Sequence, residues 1–303
     1  MSRRVLPISR HAVAGAVVLL ALVASACGSS STTSPEPTTS ESTTTESTTT
    51  TAAPTTTTAA PTTTTIVGGW SAAGTTLAPL AAGSLSGRTV VIDPGHDGGN
   101  AAHSADIAQQ VFIGTGWKEC DTSGTASYDG YPEHAHNWDV SQRLAALLRA
   151  AGATVVLTHP DDTGWGPCIT ERARIGNDAH ADLAVSIHAD GGPDGGRGFH
   201  VLYPSPVTPQ SSAIAEPSQR LAVAVRDAFG RATGMPTSTY AGSGGLMPRG
   251  DLGGLNLSTV PKVFVEGGNM RNAIDAPMLA DPAFRQAEAA GIAAGIAAWL
   301  GGH

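Results

Sequence analysis

Thr89-Val90-Val91-Ile92-Asp93-Pro94-Gly95-His96 is the stretch from which the fold can be read. A short β-branched, apolar run meets an Asp-Pro-Gly stop, which is the pattern of a buried strand ending in a turn. The same kind of run recurs at Thr154–Thr158, Leu183–Ile187, Gly198–Tyr203 and Lys262–Val265. Helical patterns lie between these runs. From Glu133 to Ala151, Val140, Leu144, Leu147, Leu148 and Ala151 recur at spacings of three and four, and Gly152 supplies the stop. Thr170–Ala179 is a second helix, with Thr170 as the expected N-cap. Ala213–Thr233, with Gly234 just past its end, and Pro282–Leu300 complete the set. Strands alternating with helices predict an α/β fold. Its sheet is mostly parallel, of about six strands, with helices on both faces. Ligands in such sheets bind at the carboxyl ends of the strands.

Upstream of this domain, placed at residues 88–303, the sequence reads as address and tether. Arg3, Arg4 and Arg10 precede an apolar stretch from Ala12 to Ala26, the form of a secretory signal peptide over residues 1–26. Ala24-Ser25-Ala26-Cys27 resembles a lipoprotein cleavage box, which makes Cys27 the candidate lipid-anchored residue, although Ala24 stands where such boxes usually carry Leu. Simple cleavage would instead leave a secreted protein. Residues 27–66 are, from Gly28 to Thr65, almost entirely Thr, Ser, Pro and Ala with three glutamates, too poor in apolar side chains to offset the entropy of ordering. Such a disordered linker spans roughly 34 Å as a coil.

The formal charge of −8 becomes −11 once the three arginines of the signal are removed. That argues against nucleic acid as a partner and against an anionic membrane surface, leaving Cys27 as the expected membrane attachment. A monomer is expected.

Four groups fall where the carboxyl-edge rule places ligands. His96 follows the first strand, His188 follows the third, and Glu266 follows the Lys262–Val265 strand. Glu133 opens the first long helix, with Asn137 one turn on. Two imidazoles and a carboxylate form a known catalytic zinc set, which leaves a coordination position for water and lowers that water's pKa to about 7. His96, Glu133 and His188 fit the ligand role, and Glu266 fits a general base. Spacing alone does not select these residues among ten histidines, and Glu133 at a helix start could simply complement the helix dipole.

Four segments occur in order: Val90-Val91-Ile92-Asp93-Pro94-Gly95-His96, Glu133 with Asn137, Val185-Ser186-Ile187-His188-Ala189-Asp190, and Val263-Phe264-Val265-Glu266-Gly267-Gly268-Asn269-Met270. Together with Arg172 and Asn177, they resemble the zinc-dependent N-acetylmuramoyl-L-alanine amidases of the Amidase_3 type, over about residues 88–300. The similarity is greatest to the small envelope amidases of mycolate-type bacteria. The resemblance implies zinc on His96, Glu133 and His188, with Glu266 catalytic. It also implies hydrolysis of the amide between N-acetylmuramic acid and the L-alanine of the stem peptide. Peptidoglycan or a muropeptide is then the partner, and the cell envelope the location. Cys120 and Cys168 match cysteines of that subgroup, and an oxidising compartment would join them.

The long segment Gly98–Pro132 reads as a flap, and the glycine-rich stretch Tyr240–Leu257 as either a groove wall or a plain loop. Two other functions share the same residues. One is a zinc peptidase cutting within the stem, and the other is a muropeptide-binding lipoprotein without activity.

Overall fold

The computed structural model describes residues 74–302. The signal peptide, Cys27 and the Thr-rich linker lie outside the described residues. In chain order the strands are β1 (Thr89–Pro94), β2 (Gln110–Phe112), β3 (Trp117–Glu119), β4 (Thr154–Leu157), β5 (Leu183–Asp190), β6 (His200–Pro204), β7 (Leu246–Arg249) and β8 (Lys262–Asn269). The helices are α1 (Ser104–Ile107), α2 (Glu133–Ala150), α3 (Ile169–Asp178), α4 (Pro209–Thr233), α5 (Gly253–Asn256), α6 (Asp275–Leu279) and α7 (Pro282–Gly301). Among the described residues no helix is long and apolar enough to cross a membrane.

Six strands form one sheet in the order β4-β1-β5-β8-β6-β7. All neighbours are parallel except β6 and β8, which run antiparallel. The mostly parallel, six-stranded α/β sheet expected from the sequence is therefore present. Alternation along the strands divides its faces. Val90, Ile92, Leu183, Val185 and Ile187 join a large core with α2, α4 and α7. Val91 and Ala184 point the other way, into a small cluster with Ala181 and Val260, where α3 covers the sheet. The period of two in the strands against 3.6 in the helices is what makes this sorting possible. Residues ahead of β1 also pack on the domain: Leu85 is buried and its N–H donates to the carbonyl of Ala151 at 2.8 Å.

Local signals placed most boundaries. Gly152 takes φ +95° and stops α2, and Gly234 takes φ +67° at the end of α4. That left-handed region costs an L side chain roughly 1–2 kcal/mol. Helix α4 starts earlier than its apolar spacing suggests. Thr208 accepts a hydrogen bond from the Ser211 N–H while the Ser211 hydroxyl caps in return, and Pro209 opens the first turn. The expectation for α3 is corrected. Its cap position is Cys168, held by the disulfide to Cys120, and Thr170 already lies inside the first turn.

Beneath the carboxyl edge of the sheet lies a buried cluster of charges. Asp93 receives Lys262 Nζ at 2.9 Å, Arg172 at 3.0 Å, the Thr158 hydroxyl at 2.8 Å and the Ser186 hydroxyl at 2.9 Å. Burial works to raise the Asp93 pKa, but Lys262 and Arg172 outweigh it and hold the carboxyl far below its ordinary value. Asp121 is likewise opposed by burial, yet Arg172 and His96 bring it down to about 2. A depressed carboxyl contributes stability that is complete above its unfolded pKa of about 4 and is lost as pH falls through its folded value. We expect the thermal midpoint to fall as pH drops from about 4 toward 2. An Asp121→Asn variant should be less stable at neutral pH by roughly 2–3 kcal/mol and show a shallower acid decline. Calorimetry across that range checks both.

Candidate metal centre

Four elements meet at the carboxyl edge. His96 follows β1 through Gly95, and its backbone sits at φ +64°, a conformation rare for a residue with a side chain. Such strain persists only where surroundings impose it. Here the Arg172 guanidinium donates to the His96 carbonyl at 3.0 Å and to the Pro94 carbonyl at 2.6 Å, which fixes the turn. Glu133 is the first residue of α2, and His188 lies inside β5 rather than past it. Glu266 likewise lies inside β8, paired in register with His188 on one side and His200 on the other.

The structure brings His96, Glu133 and His188 together, with one ligand atom of each within 4.8 Å of the others. Glu133 Oε1 is 3.2 Å from His96 Nε2 and 3.0 Å from His188 Nδ1. Three other histidines near these elements are engaged elsewhere: His134 with Asp162, His136 with the Leu279 carbonyl, His159 with the Pro94 and Asp161 carbonyls. Orientation is imposed from behind. His96 Nδ1 donates to the Thr122 carbonyl at 2.8 Å, which leaves Nε2 as the free lone pair. Glu133 Oε2 accepts from the Thr125 N–H at 2.9 Å, and Asn137 donates to the Gly95 carbonyl at 3.1 Å. Phe264 lies flat under the His188 ring, with centroids 5.3 Å apart.

The electrostatics favour positive charge at this point. For Glu133 burial is opposed and outweighed by His96 and His188, which hold its carboxyl well below the usual range. For His96 burial is outweighed by Glu133 and Asp121, which raise the imidazole well above its ordinary value. The centre thus holds a carboxylate and draws protons to an imidazole, the preference that a bound cation satisfies in their place. Two imidazoles, one carboxylate and a backed-up tautomer fit a divalent cation of the zinc type. Glu266 behaves in the opposite sense. Burial first, then Glu133 and Asp190, raise its carboxyl well above normal, and its Oε2 is buried without a hydrogen-bond partner in the structure.

Two residues that spacing did not single out shape the centre. Gly95 lets the His188 ring lie against the backbone: a Cβ there would stand 2.2 Å from the ring. Gly124, at φ +75°, packs on His96 and Glu133. The only sequence signal for Gly124 is its place in the long Gly98–Pro132 segment, which folds back over the site and is held by the Cys120–Cys168 disulfide. Of the Tyr240–Leu257 stretch, Gly254 reaches the central cavity of about 30 Å³, whereas Tyr240 packs on Gly192 and Gly196. Larger cavities flank the centre. One, of about 520 Å³, runs from Thr122 toward Lys118, and one, of about 380 Å³, is bounded by Gly124, Thr125, His134 and Arg271.

Residues 90–298 match the family described as N-acetylmuramoyl-L-alanine amidase. The N-acetylmuramoyl-L-alanine amidase Rv3717 of Mycobacterium tuberculosis is 42% identical over 218 residues, which is 72% of this chain and 88% of the relative. The crystal structure of the amidase Ami1 from Mycobacterium smegmatis matches with a TM-score of 0.68 at 46% identity, over 72% of this chain and 99% of that one. The apo amidase Ami1 of Mycobacterium abscessus gives 0.67 at 46%, over 71% and 99%.

A methyl group at Gly124 would meet His96 at 2.7 Å and Glu133 at 2.9 Å. We therefore expect Gly124→Ala to bind divalent cation roughly tenfold or more weakly, as strained or displaced ligands do. Equilibrium dialysis with metal analysis reads this directly, and an unchanged affinity would show that the loop does not constrain the ligands.

Proposed function

Because the chain belongs to the N-acetylmuramoyl-L-alanine amidase family (Amidase_3), we propose that it is a peptidoglycan hydrolase. It cleaves the amide between N-acetylmuramic acid and the first L-alanine of the stem peptide. The observation that carries this reading is the convergence of His96, Glu133 and His188, with Glu266 in register beside His188.

His96, Glu133 and His188 hold zinc in this proposal. The metal, when bound, supplies a Lewis acid for the scissile carbonyl and lowers the pKa of water. Glu266 does the proton work. Its free Oε2 accepts a proton from the attacking water and returns it to the leaving alanine nitrogen. The products are a lactyl carboxylate and a stem peptide with a new amine. A carboxyl raised by burial, and by the nearby Glu133 and Asp190, suits the first half of that task, because it takes a proton more readily than an exposed carboxylate does. Glu133 keeps its charge and so stays a ligand rather than a base.

The work takes place in the cell envelope, against polymeric wall or muropeptide. Export by residues 1–26 and anchorage at Cys27 belong to the same proposal, with the Thr-rich linker as the tether.

Chelation should abolish activity, and added zinc should restore it. Glu266→Gln should retain zinc while kcat falls roughly 10²–10⁴-fold, the usual contribution of a general base. Metal analysis with kinetics on a defined muropeptide reads both. Mass spectrometry of the products decides the bond: intact stem peptides beginning with L-alanine support the amidase, and shortened peptides would identify a peptidase.

A further inference from the structure

Arg271 lies just past the carboxyl end of β8, five residues beyond Glu266 and on the same edge of the sheet. Its guanidinium stacks over the ring of Tyr128 at 5.1 Å and makes no ion pair among the described residues. Its backbone N–H donates to Asn269 Oδ1, which holds the turn. Tyr128 is 70% exposed, yet it is fixed in place because its hydroxyl donates to Asp194 at 2.7 Å. An unpaired guanidinium laid on a pinned, solvent-facing ring is pre-organised for a ligand.

Arg271 also lines two cavities. One, of about 380 Å³, extends to Gly124 and Thr125, which touch the metal ligands. The other, of about 370 Å³, continues past Tyr128 and Asn272. A cation thus stands along a path leading away from the scissile position, in a chain whose net charge is −8 and most of whose other arginines are paired with carboxylates. Planar donors of this kind recognise carboxylates through paired hydrogen bonds.

Building on the amidase reading above, we propose that Arg271, supported by Tyr128, is the residue that recognises a free carboxylate of the stem peptide beyond its first L-alanine. It thereby makes the enzyme discriminate acid stems from amidated ones. Arg271 does not touch the reacting atoms, so it acts on binding and leaves the chemical step alone.

The test uses the zinc-loaded protein and N-acetylmuramyl-L-alanyl-D-isoglutamate, beside the same compound with its α-carboxyl, the one left free when the stem is extended, converted to a carboxamide. The parent should favour the acid form by roughly tenfold or more, through KM. Arg271→Ala should erase the preference by raising KM for the acid form, with kcat nearly unchanged, and Arg271→Lys should restore part of it. A merely structural role would lower activity on both substrates alike. A third substrate, amidated at the isoglutamyl carboxyl but extended by diaminopimelate, identifies which carboxylate is read. A parent without preference, or an Arg271→Ala variant that keeps it, overturns the proposal. Titration calorimetry with the free stem peptides separates this subsite from the amidase reading. If the parent hydrolyses neither muropeptide but binds the acid peptide in an Arg271-dependent way, the subsite stands and the amidase reading falls.

Discussion

Arg172 is the constraint on which the site depends. The residue is buried at 4% exposure, and the five N–H groups of its guanidinium reach six acceptors, one N–H being shared between two. Two are carboxylates, of Asp93 and Asp121, and four are carbonyls, of Pro94, His96, Gly166 and Pro167. A buried guanidinium is costly to desolvate, and only full pairing offsets that cost. The consequence is geometric. One planar group ties the end of β1 to the two loops that the disulfide joins, and it leaves the His96 turn little freedom. Lys262, reaching Asp93 from β8, extends the same tie to the strand that carries Glu266.

The Cys120–Cys168 disulfide works on the same loops from the other side. It closes 48 residues, which in the chain-entropy account removes about 4 kcal/mol of unfolded-state freedom. Its structural effect is to place Asp121 and Thr122 under His96. Asp121 lies 3.6 Å from His96 Nδ1, and the Thr122 carbonyl takes the proton of that nitrogen. A metal would need ligands fixed by a surrounding shell, and around His96, Glu133 and His188 such a shell is built from a loop, a disulfide and an arginine rather than from the sheet alone.

The main elements were legible because each carries a periodic signal. The runs at Thr89, Thr154, Leu183 and Lys262 became sheet strands, and the spacing of Val140, Leu144 and Leu148 became the buried face of α2. Other elements escaped for physical reasons. The hairpin of β2 and β3 is three residues per strand, too short for alternation to register. Strand β7 contains Pro248, which lacks a ladder donor and is tolerated because β7 is an edge strand. The α3 cap was missed because a cysteine committed to a disulfide occupies it.

The sequence by itself determined the α/β class, the parallel order of alternation and the residue types of the centre, since hydrophobic period and strand-end position are local properties of the chain. It nominated His96, Glu133, His188 and Glu266 by their places at strand and helix ends, and the family pattern sharpened that choice. Tertiary structure decided the remainder. Only folding brings residues 37 and 55 positions apart to within 3.2 Å, and only folding shows that Gly95 and Gly124 must lack a side chain. It also leaves Arg271 unpaired beside Tyr128, residues 143 positions apart in the chain. Such contacts depend on long-range closure of loops, for which no local periodicity exists to be read.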